Sequence, residues 1–182
     1  MRLGLVLAVV VLPVGLTGCV ADDDSATSPD TTSDANGSHR TRLESDRAEA
    51  GELVRGLTPR LVAELVGAAQ SPRGSFRGCR GRAPEGIAAV EYVATVRIDA
   101  GPAAPDDLLQ PVPAYLSGSD DVVESTVPGG RRLTAPWGDL TVTVTTRPAA
   151  GDFLLVTVTG GCHDIPADEQ DEWLDRGVDD LT

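Results

Sequence analysis

The sequence contains no lysine, and its fifteen basic residues are all arginine. Aromatic residues make up only 3% of the chain, so a hydrophobic core has to be built from valine, leucine and alanine. Asparagine occurs once and isoleucine three times. This bias is typical of a GC-rich bacterial genome and indicates no particular function.

The motifs of several enzyme classes are also missing. The chain has no GxSxG nucleophile elbow, no phosphate-binding loop ending in Lys and Ser or Thr, and no CxxC pair. A zinc site needs three or four ligands, and the nearest set in sequence is His163, Asp164, Asp168 and Glu169. A solvated acidic segment explains these four better. We therefore predict a protein that is not an enzyme and that binds no metal.

Acidic residues dominate the chain, which has a net charge of −13. Residues 20–40 hold five aspartates and one arginine, and residues 164–182 hold eight acidic residues and one arginine. Residues 41–163 are closer to balance, with fifteen acidic residues and twelve arginines. Nucleic-acid binding requires a basic surface, so this charge distribution predicts no nucleic-acid partner.

The N-terminus has the pattern of an export signal. Arg2 precedes an apolar run at residues 3–14, which is too short to span a bilayer but has the length of a signal-peptide core. The run leads into Leu16-Thr17-Gly18-Cys19, which resembles the bacterial lipobox. Two other interpretations remain, namely an ordinary secretory signal with a chance cysteine and a transmembrane anchor.

The lipobox resemblance implies a specific maturation. A diacylglyceryl group would be attached to the Cys19 sulfur, and cleavage between Gly18 and Cys19 would remove residues 1–18. Two acyl chains are enough to hold a globular domain on a membrane. The resemblance thus implies a protein anchored at the outer face of the bacterial cytoplasmic membrane, with this covalent lipid and no other cofactor.

The rest of the chain divides by composition into three parts. Residues 19–40 are rich in Ser, Thr and Asp and predict a disordered tether, because such a segment buries too little apolar surface to offset its ordering entropy. Residues 41–163 predict a single domain. Residues 164–182 predict an acidic tail, either loose or with a short helix that begins near Pro166 and docks Trp173.

Periodicity within residues 41–163 predicts an α+β domain. Apolar residues from Leu43 to Ala68 recur at mostly three- and four-residue steps, which indicates one helix kinked at Pro59 or two helices meeting there. Residues 106–116 are a weaker helix candidate. The segments VEYVATVRI, DLTVTVTT and FLLVTVT alternate as half-buried strands do. We expect a mostly antiparallel sheet of about four to five strands, with one or two helices packed on one face.

Cys79 and Cys162 remain once Cys19 carries lipid. An exported chain with two spare cysteines is typically joined by one disulfide, and we predict that bond here. It would link the first strand of the domain to the end of the last one. The alternatives are two free thiols or a redox-active pair.

A run of basic residues is the one candidate binding feature. Arg73, Arg77, Arg80 and Arg82 fall within ten residues, and a sheet would place them beside Arg97. Such a patch would bind phosphate or carboxylate groups of lipids or wall polymers. The competing interpretation is a solvated loop whose arginines pair with nearby acidic residues.

The combined pattern resembles small actinobacterial-type lipoproteins, a resemblance that implies no catalytic residues. It favours a binding or interaction module of the cell envelope, acting on an envelope ligand or a protein partner. Two alternatives are an enzyme with a site built from scattered carboxylates and arginines, and a structural or inhibitory lipoprotein that acts through a protein partner.

Overall fold

The structure, a computed structural model, describes residues 32–79, 84–116, 121–147 and 151–182. The predicted signal peptide, the Gly18–Cys19 cleavage site and the lipidated Cys19 lie outside the described residues, as do Arg80 and Arg82. The described residues belong to one compact unit, which extends past the predicted domain bounds of 41–163 on both sides. Within them, no helix has both the length and the apolar character needed to cross a bilayer.

Within the described residues, one long helix precedes a large antiparallel sheet, together with three short helical segments. The helices are α1 (Thr32–Glu64), α2 (Val112–Tyr115) and α3 (Gln170–Leu174), with a 3₁₀ turn at Ala167–Glu169. The strands are β1 (Ala68–Ala69), β2 (Arg73–Gly78), β3 (Ile87–Asp99), β4 (Val123–Val127), β5 (Gly130–Trp137), β6 (Leu140–Thr146), β7 (Phe153–Thr159), β8 (His163–Pro166) and β9 (Asp179–Asp180).

The sheet has the order β4-β5-β6-β7-β3-β2-β9, with β1 and β8 also paired to β3, and every pairing is antiparallel. The predicted α+β class is confirmed. The described residues contain nine strands, more than the predicted four to five. Three of them, β1, β8 and β9, have two to four residues, which is too short for alternation to be visible in the sequence.

Helix α1 supplies one layer of the core. Its buried apolar positions lie along one stripe at steps of three, four or seven residues and pack on β3, β7 and β8. They are Leu43, Ala50, Val54, Leu57, Leu61 and, just beyond the helix end, Leu65. The helix continues through Pro59 as a single element, which settles the two alternatives for this segment. The Thr58 hydroxyl donates to the Val54 carbonyl at 2.6 Å on the turn before Pro59.

The helix begins earlier than the sequence predicted. Residues 32–40, predicted as part of the disordered tether, are helical, and His39 is only 4% exposed. The buried stripe of α1 extends back from Leu43 to His39 at the same helical spacing. The prediction was wrong for these residues because the buried side chain there is polar, and its partner, Glu169, lies 130 positions along the chain.

The predicted acidic tail is an ordered part of the domain. It contains β8, the 3₁₀ turn, α3 and β9, and Trp173 is 1% exposed, so the docked alternative is the correct one. The weaker helix candidate at 106–116 is reduced to α2, a single turn flanked by Pro111 with Pro113 inside it. Prolines remove backbone donors, which explains why this segment does not continue as a helix.

Candidate functional site

Two features of the domain concentrate polar and charged side chains. The first is the face of the sheet turned away from α1, which we call the open face. On the opposite face, which packs against α1, residues such as Tyr92, Val142 and Val156 belong to the same core cluster as the helix. Residues directly opposite each other on neighbouring strands point to the same side, so the strand register defines the members of the open face.

A row of threonines crosses the open face. From β2 to β5, directly paired residues run Arg73, Thr95, Thr157, Thr143 and Thr134. All of these threonines are half-buried. A parallel row contains Arg97, Leu155, Thr145 and Arg132. The open face therefore offers hydroxyl groups and guanidinium groups, interrupted by one partly exposed leucine.

The structure brings together part of the predicted arginine patch. Arg73, Arg77 and Arg97 lie on the open face, and Arg132 on β5 joins them. Arg73 and Arg97 line one groove of about 300 Å³, together with Gln70, Ser71, Thr95 and Leu155.

Acidic neighbours balance most of these arginines. Arg97 Nη2 lies 2.6 Å from Asp99 Oδ1, and its Cζ lies 3.9 Å from the ring centre of Phe153. The hydrogen bond from Arg97 lowers the pKa of the Asp99 carboxyl.

Strand pairing brings acidic residues to the other arginines as well. Arg77 is directly opposite Glu91, and Arg73 is directly opposite Asp180. The open face is consequently a mixed-charge surface. This agrees with the alternative in which the arginines pair with nearby acidic residues, although Arg73 and Arg77 lie on a strand and not in a loop.

The second feature is a set of contacts between α1 and residues 163–182, which we call the C-terminal segment. Arg47 donates two hydrogen bonds to Asp179, from Nε at 2.8 Å and from Nη2 at 2.6 Å. The buried Tyr92 hydroxyl donates to the same carboxylate at 2.8 Å. The hydrogen bonds from Arg47 lower the pKa of Asp179 against the opposing effect of burial, whereas burial and Asp179 raise the pKa of Tyr92.

Further ion pairs extend the same interface. Arg40 of α1 donates to Glu172 at 2.7 Å and to Glu169 at 2.8 Å. In the opposite direction, Arg176 of the C-terminal segment donates to Glu44 of α1. Each pair joins residues about 130 positions apart in the chain. Most of these residues are half-buried, and each arginine is matched by a carboxylate across the interface. These contacts hold the C-terminal segment on α1.

The two histidines lie in this interface, although His39 belongs to the segment predicted as a disordered tether. His39 Nε2 lies 3.2 Å from Glu169 Oε2, and His163 Nε2 lies 2.9 Å from Asp46 Oδ2. The Gly161 amide donates to the same Asp46 oxygen at 2.8 Å. Glu169 and His163, two of the ligands considered for zinc, thus contact different partners. Among the described residues, no three His, Cys, Asp or Glu side chains are grouped as metal ligands.

The two cysteines meet at the end of the sheet. The sulfur atoms of Cys79 and Cys162 lie 2.01 Å apart, with Cα atoms separated by 6.2 Å, which is the spacing of a disulfide. Cys79 directly follows β2, and Cys162 lies between β7 and β8. The pair therefore connects two segments separated by 83 positions.

Replacing Asp179 with asparagine should make unfolding less sensitive to acid. A carboxyl whose native pKa is below its unfolded value of about 4 stabilises the fold above that pH and loses this contribution as the pH falls through the native pKa. We expect Asp179→Asn to lower the free energy of unfolding at pH 7 by about 1–2 kcal/mol. The difference from wild type should shrink at pH 3, as measured by urea unfolding.

The exposed Asp152 provides a matched control for this prediction. Asp152→Asn removes one negative charge of the same type at a position outside the α1 interface, so its effect should stay within about 0.5 kcal/mol at both pH values. An equal loss of stability for Asp179→Asn at pH 7 and pH 3 would contradict the assigned role of its ionised carboxylate.

Comparisons of the chain with protein-family models, with curated proteins and with solved structures give no match.

Proposed function

We propose that this protein is a lipid-anchored interaction module of the bacterial cell envelope, and that it binds an envelope ligand or partner through the open face of its sheet. The observation that carries the proposal is the contrast between the two faces. Helix α1 and the C-terminal segment bury one face, whereas the other presents threonine and arginine side chains across five strands, from β2 to β5.

The dimensions of the open face suit an extended ligand. Strands are spaced about 4.8 Å apart, so the five steps from β2 to β4 span roughly 24 Å. Threonine hydroxyls both donate and accept hydrogen bonds, and arginine binds phosphate or carboxylate groups in a planar fork. A polymer that carries hydroxyl groups and occasional anionic groups matches this chemistry, with the groove between Arg73 and Arg97 receiving one anionic group.

The pKa shifts favour binding over the enzyme alternative. Every described carboxyl with a shifted pKa is shifted downward: Glu44, Asp99, Asp107, Glu172, Asp179 and Asp180. A carboxyl acting as general acid near neutral pH requires a raised pKa. These groups instead remain ionised and hydrogen-bonded, as expected of a structural or ligand-binding role.

The cysteines support the proposed compartment. Disulfides persist outside the cytoplasm, and Cys79 and Cys162 lie at disulfide spacing. Export would also expose the chain to the transferase that modifies lipobox cysteines, so lipidation of Cys19 and oxidation of the other pair belong to the same proposal.

Fatty-acid labelling tests the anchor. Cells that express the wild-type chain should incorporate labelled palmitate into it, and Cys19→Ala should abolish the label and release the protein from the membrane fraction. Thr17→Ser is a matched control, because it changes a neighbouring residue while keeping a small side chain before Gly18 and Cys19. Equal labelling of Cys19→Ala and wild type would refute the anchor.

Site-specific photocrosslinking in cells tests the open face. A photoreactive residue at Thr157, in the middle of that face, should capture a reproducible lipid, glycan or protein species. The same residue at Ala63, which is exposed on the outer side of α1, is the control and should capture nothing comparable. Identical products at both positions, or none at Thr157, would count against the open face as the binding surface.

A further inference from the structure

The two ends of the sheet differ in how they are protected. At one end, the two-residue strand β9 covers part of β2. At the other end lies β4, and no described strand pairs with its outer edge. Four of its five residues are exposed, including Val123 at 60%. Natural edge strands usually carry proline, a bulge or a charged side chain that prevents pairing. The sequence of β4, VESTV, has no proline or lysine, and its one charged residue, Glu124, is paired with Arg131 of the same hairpin.

The hairpin between β4 and β5 determines which backbone groups of β4 are free. Val127 pairs with Gly130 across a two-residue turn of Pro128 and Gly129, and Gly129 has a φ of +79°. The two residues that flank such a turn form backbone hydrogen bonds with each other. Hydrogen-bonded and non-hydrogen-bonded pairs then alternate along the two strands. The backbone N–H and C=O groups of Val123 and Ser125 therefore form hydrogen bonds with β5, as those of Val127 do. The N–H and C=O groups of Glu124 and Thr126 point outward.

We propose that two copies of the chain associate through their β4 strands, antiparallel, with Ser125 of one copy facing Ser125 of the other. The outward groups of Glu124 would bond to those of Thr126 in the second copy. Val123 would pair with Val127 of the second copy on the open face. This pairing joins two nine-stranded sheets into one continuous surface and doubles the length of the open face.

The alternative registers are less favourable. In any register, outward-pointing residues of one copy must lie opposite outward-pointing residues of the other. The two neighbouring registers therefore place Glu124 opposite Glu124, or Thr126 opposite Thr126, at the centre of the pairing. The first places Glu124 directly against Glu124 of the second copy, which is a destabilising like-charge pair. The second places Glu124 against Pro128, which has no N–H to donate. Only the register centred on Ser125 avoids both problems.

The local charge permits this association although each chain carries −13 overall. Glu124 accepts a hydrogen bond from Arg131 Nε at 2.6 Å, and Arg132 lies opposite Ser125 on β5. The edge is therefore close to neutral. The remaining repulsion between the two acidic chains acts over longer distances, where salt screens it within about 8 Å at 0.15 M. Dimer formation should consequently strengthen as the salt concentration rises.

Disulfide trapping tests the proposed register. In the full chain carrying Cys19→Ser, which removes the lipid-acceptor thiol, Ser125→Cys should form a covalent dimer under mild oxidation. Non-bonded antiparallel pairs place Cα atoms about 4.5 Å apart, within the range of a disulfide. Thr141→Cys is the control, because it places an exposed thiol on the interior strand β6. We expect it to cross-link at least tenfold more slowly.

A backbone variant separates strand pairing from random collision. Thr126→Pro removes an outward N–H without breaking the β4–β5 ladder, and proline is tolerated on edge strands. Combined with Ser125→Cys, it should reduce the cross-linking rate to that of Thr141→Cys while circular dichroism and the urea midpoint stay unchanged.

Sedimentation equilibrium of the Cys19→Ser chain provides a second measurement that needs no change in β4. The average mass should rise with protein and salt concentration. A monomer at all concentrations, equal cross-linking of Ser125→Cys and Thr141→Cys, or an undiminished rate in Thr126→Pro would each overturn the proposal. Cross-links to other proteins without the symmetric dimer would identify an extended peptide as the occupant of the edge and would also overturn it.

Discussion

Replacing Trp173 with alanine should lower the free energy of unfolding by about 3–5 kcal/mol, the typical loss for removing a buried indole. Trp173 is 1% exposed and packs edge-on against Phe76 of β2, with ring centres 4.8 Å apart. The Arg176 guanidinium lies 3.8 Å from its ring centre. Loss of the indole removes the main apolar anchor of the C-terminal segment. Urea unfolding followed by far-ultraviolet circular dichroism measures the change.

Trp173→Phe is the matched control for this variant. The indole Nε1 is buried and has no hydrogen-bond partner among the described residues, so its removal leaves no partner unsatisfied. Phenylalanine preserves an aromatic contact with Phe76, and we expect a loss of no more than about 1.5 kcal/mol. If Trp173→Ala and Trp173→Phe were equally stable, aromatic packing would not hold the C-terminal segment in place.

The double substitution Cys79→Ser/Cys162→Ser should destabilise the domain by about 4–5 kcal/mol. The two positions are 83 residues apart, and a cross-link that closes a loop of this length restricts the unfolded chain by about that free energy in the chain-entropy description. This is a large fraction of the roughly 5–15 kcal/mol by which domains are stable. Urea unfolding with and without reductant provides the measurement.

Reductant supplies the internal control for the disulfide. It should lower the unfolding midpoint of the wild-type chain to that of the double variant and should leave the double variant unchanged. A wild-type midpoint that does not respond to reductant, combined with two titratable thiols in the unfolded chain, would show that the cysteines lie close together without forming a bond.

Local patterns in the sequence predicted the elements that bury one regular face. The segment VEYVATVRI became the centre of β3, and DLTVTVTT and FLLVTVT became β6 and β7, because alternation along a strand follows directly from burial of one side of the sheet. The same reasoning gave α1 from Leu43 onward. Each of these elements has enough turns or residues for its period to be visible without knowledge of its neighbours.

Elements that depend on distant partners were not predicted. The turns of α1 before Leu43 have no apolar stripe in the sequence, and the buried His39 there finds its partner in Glu169, 130 positions away. Strand β9 has two residues and pairs with β2 about 100 positions earlier. The mixed charge of the open face likewise follows from register, because only strand pairing places Glu91 opposite Arg77.

The order of the strands determines when the domain can be completed during synthesis. The central strand β3 is paired with β7, which follows it by about 60 residues in the chain. Helix α1 likewise forms ion pairs with Glu172 and Asp179 near the end of the described residues. Helix α1 therefore finds these partners only after residues 172–179 have been translated. A nascent chain that stops short of them leaves this side of α1 without its native contacts, because long-range pairing cannot precede synthesis of the distant partner.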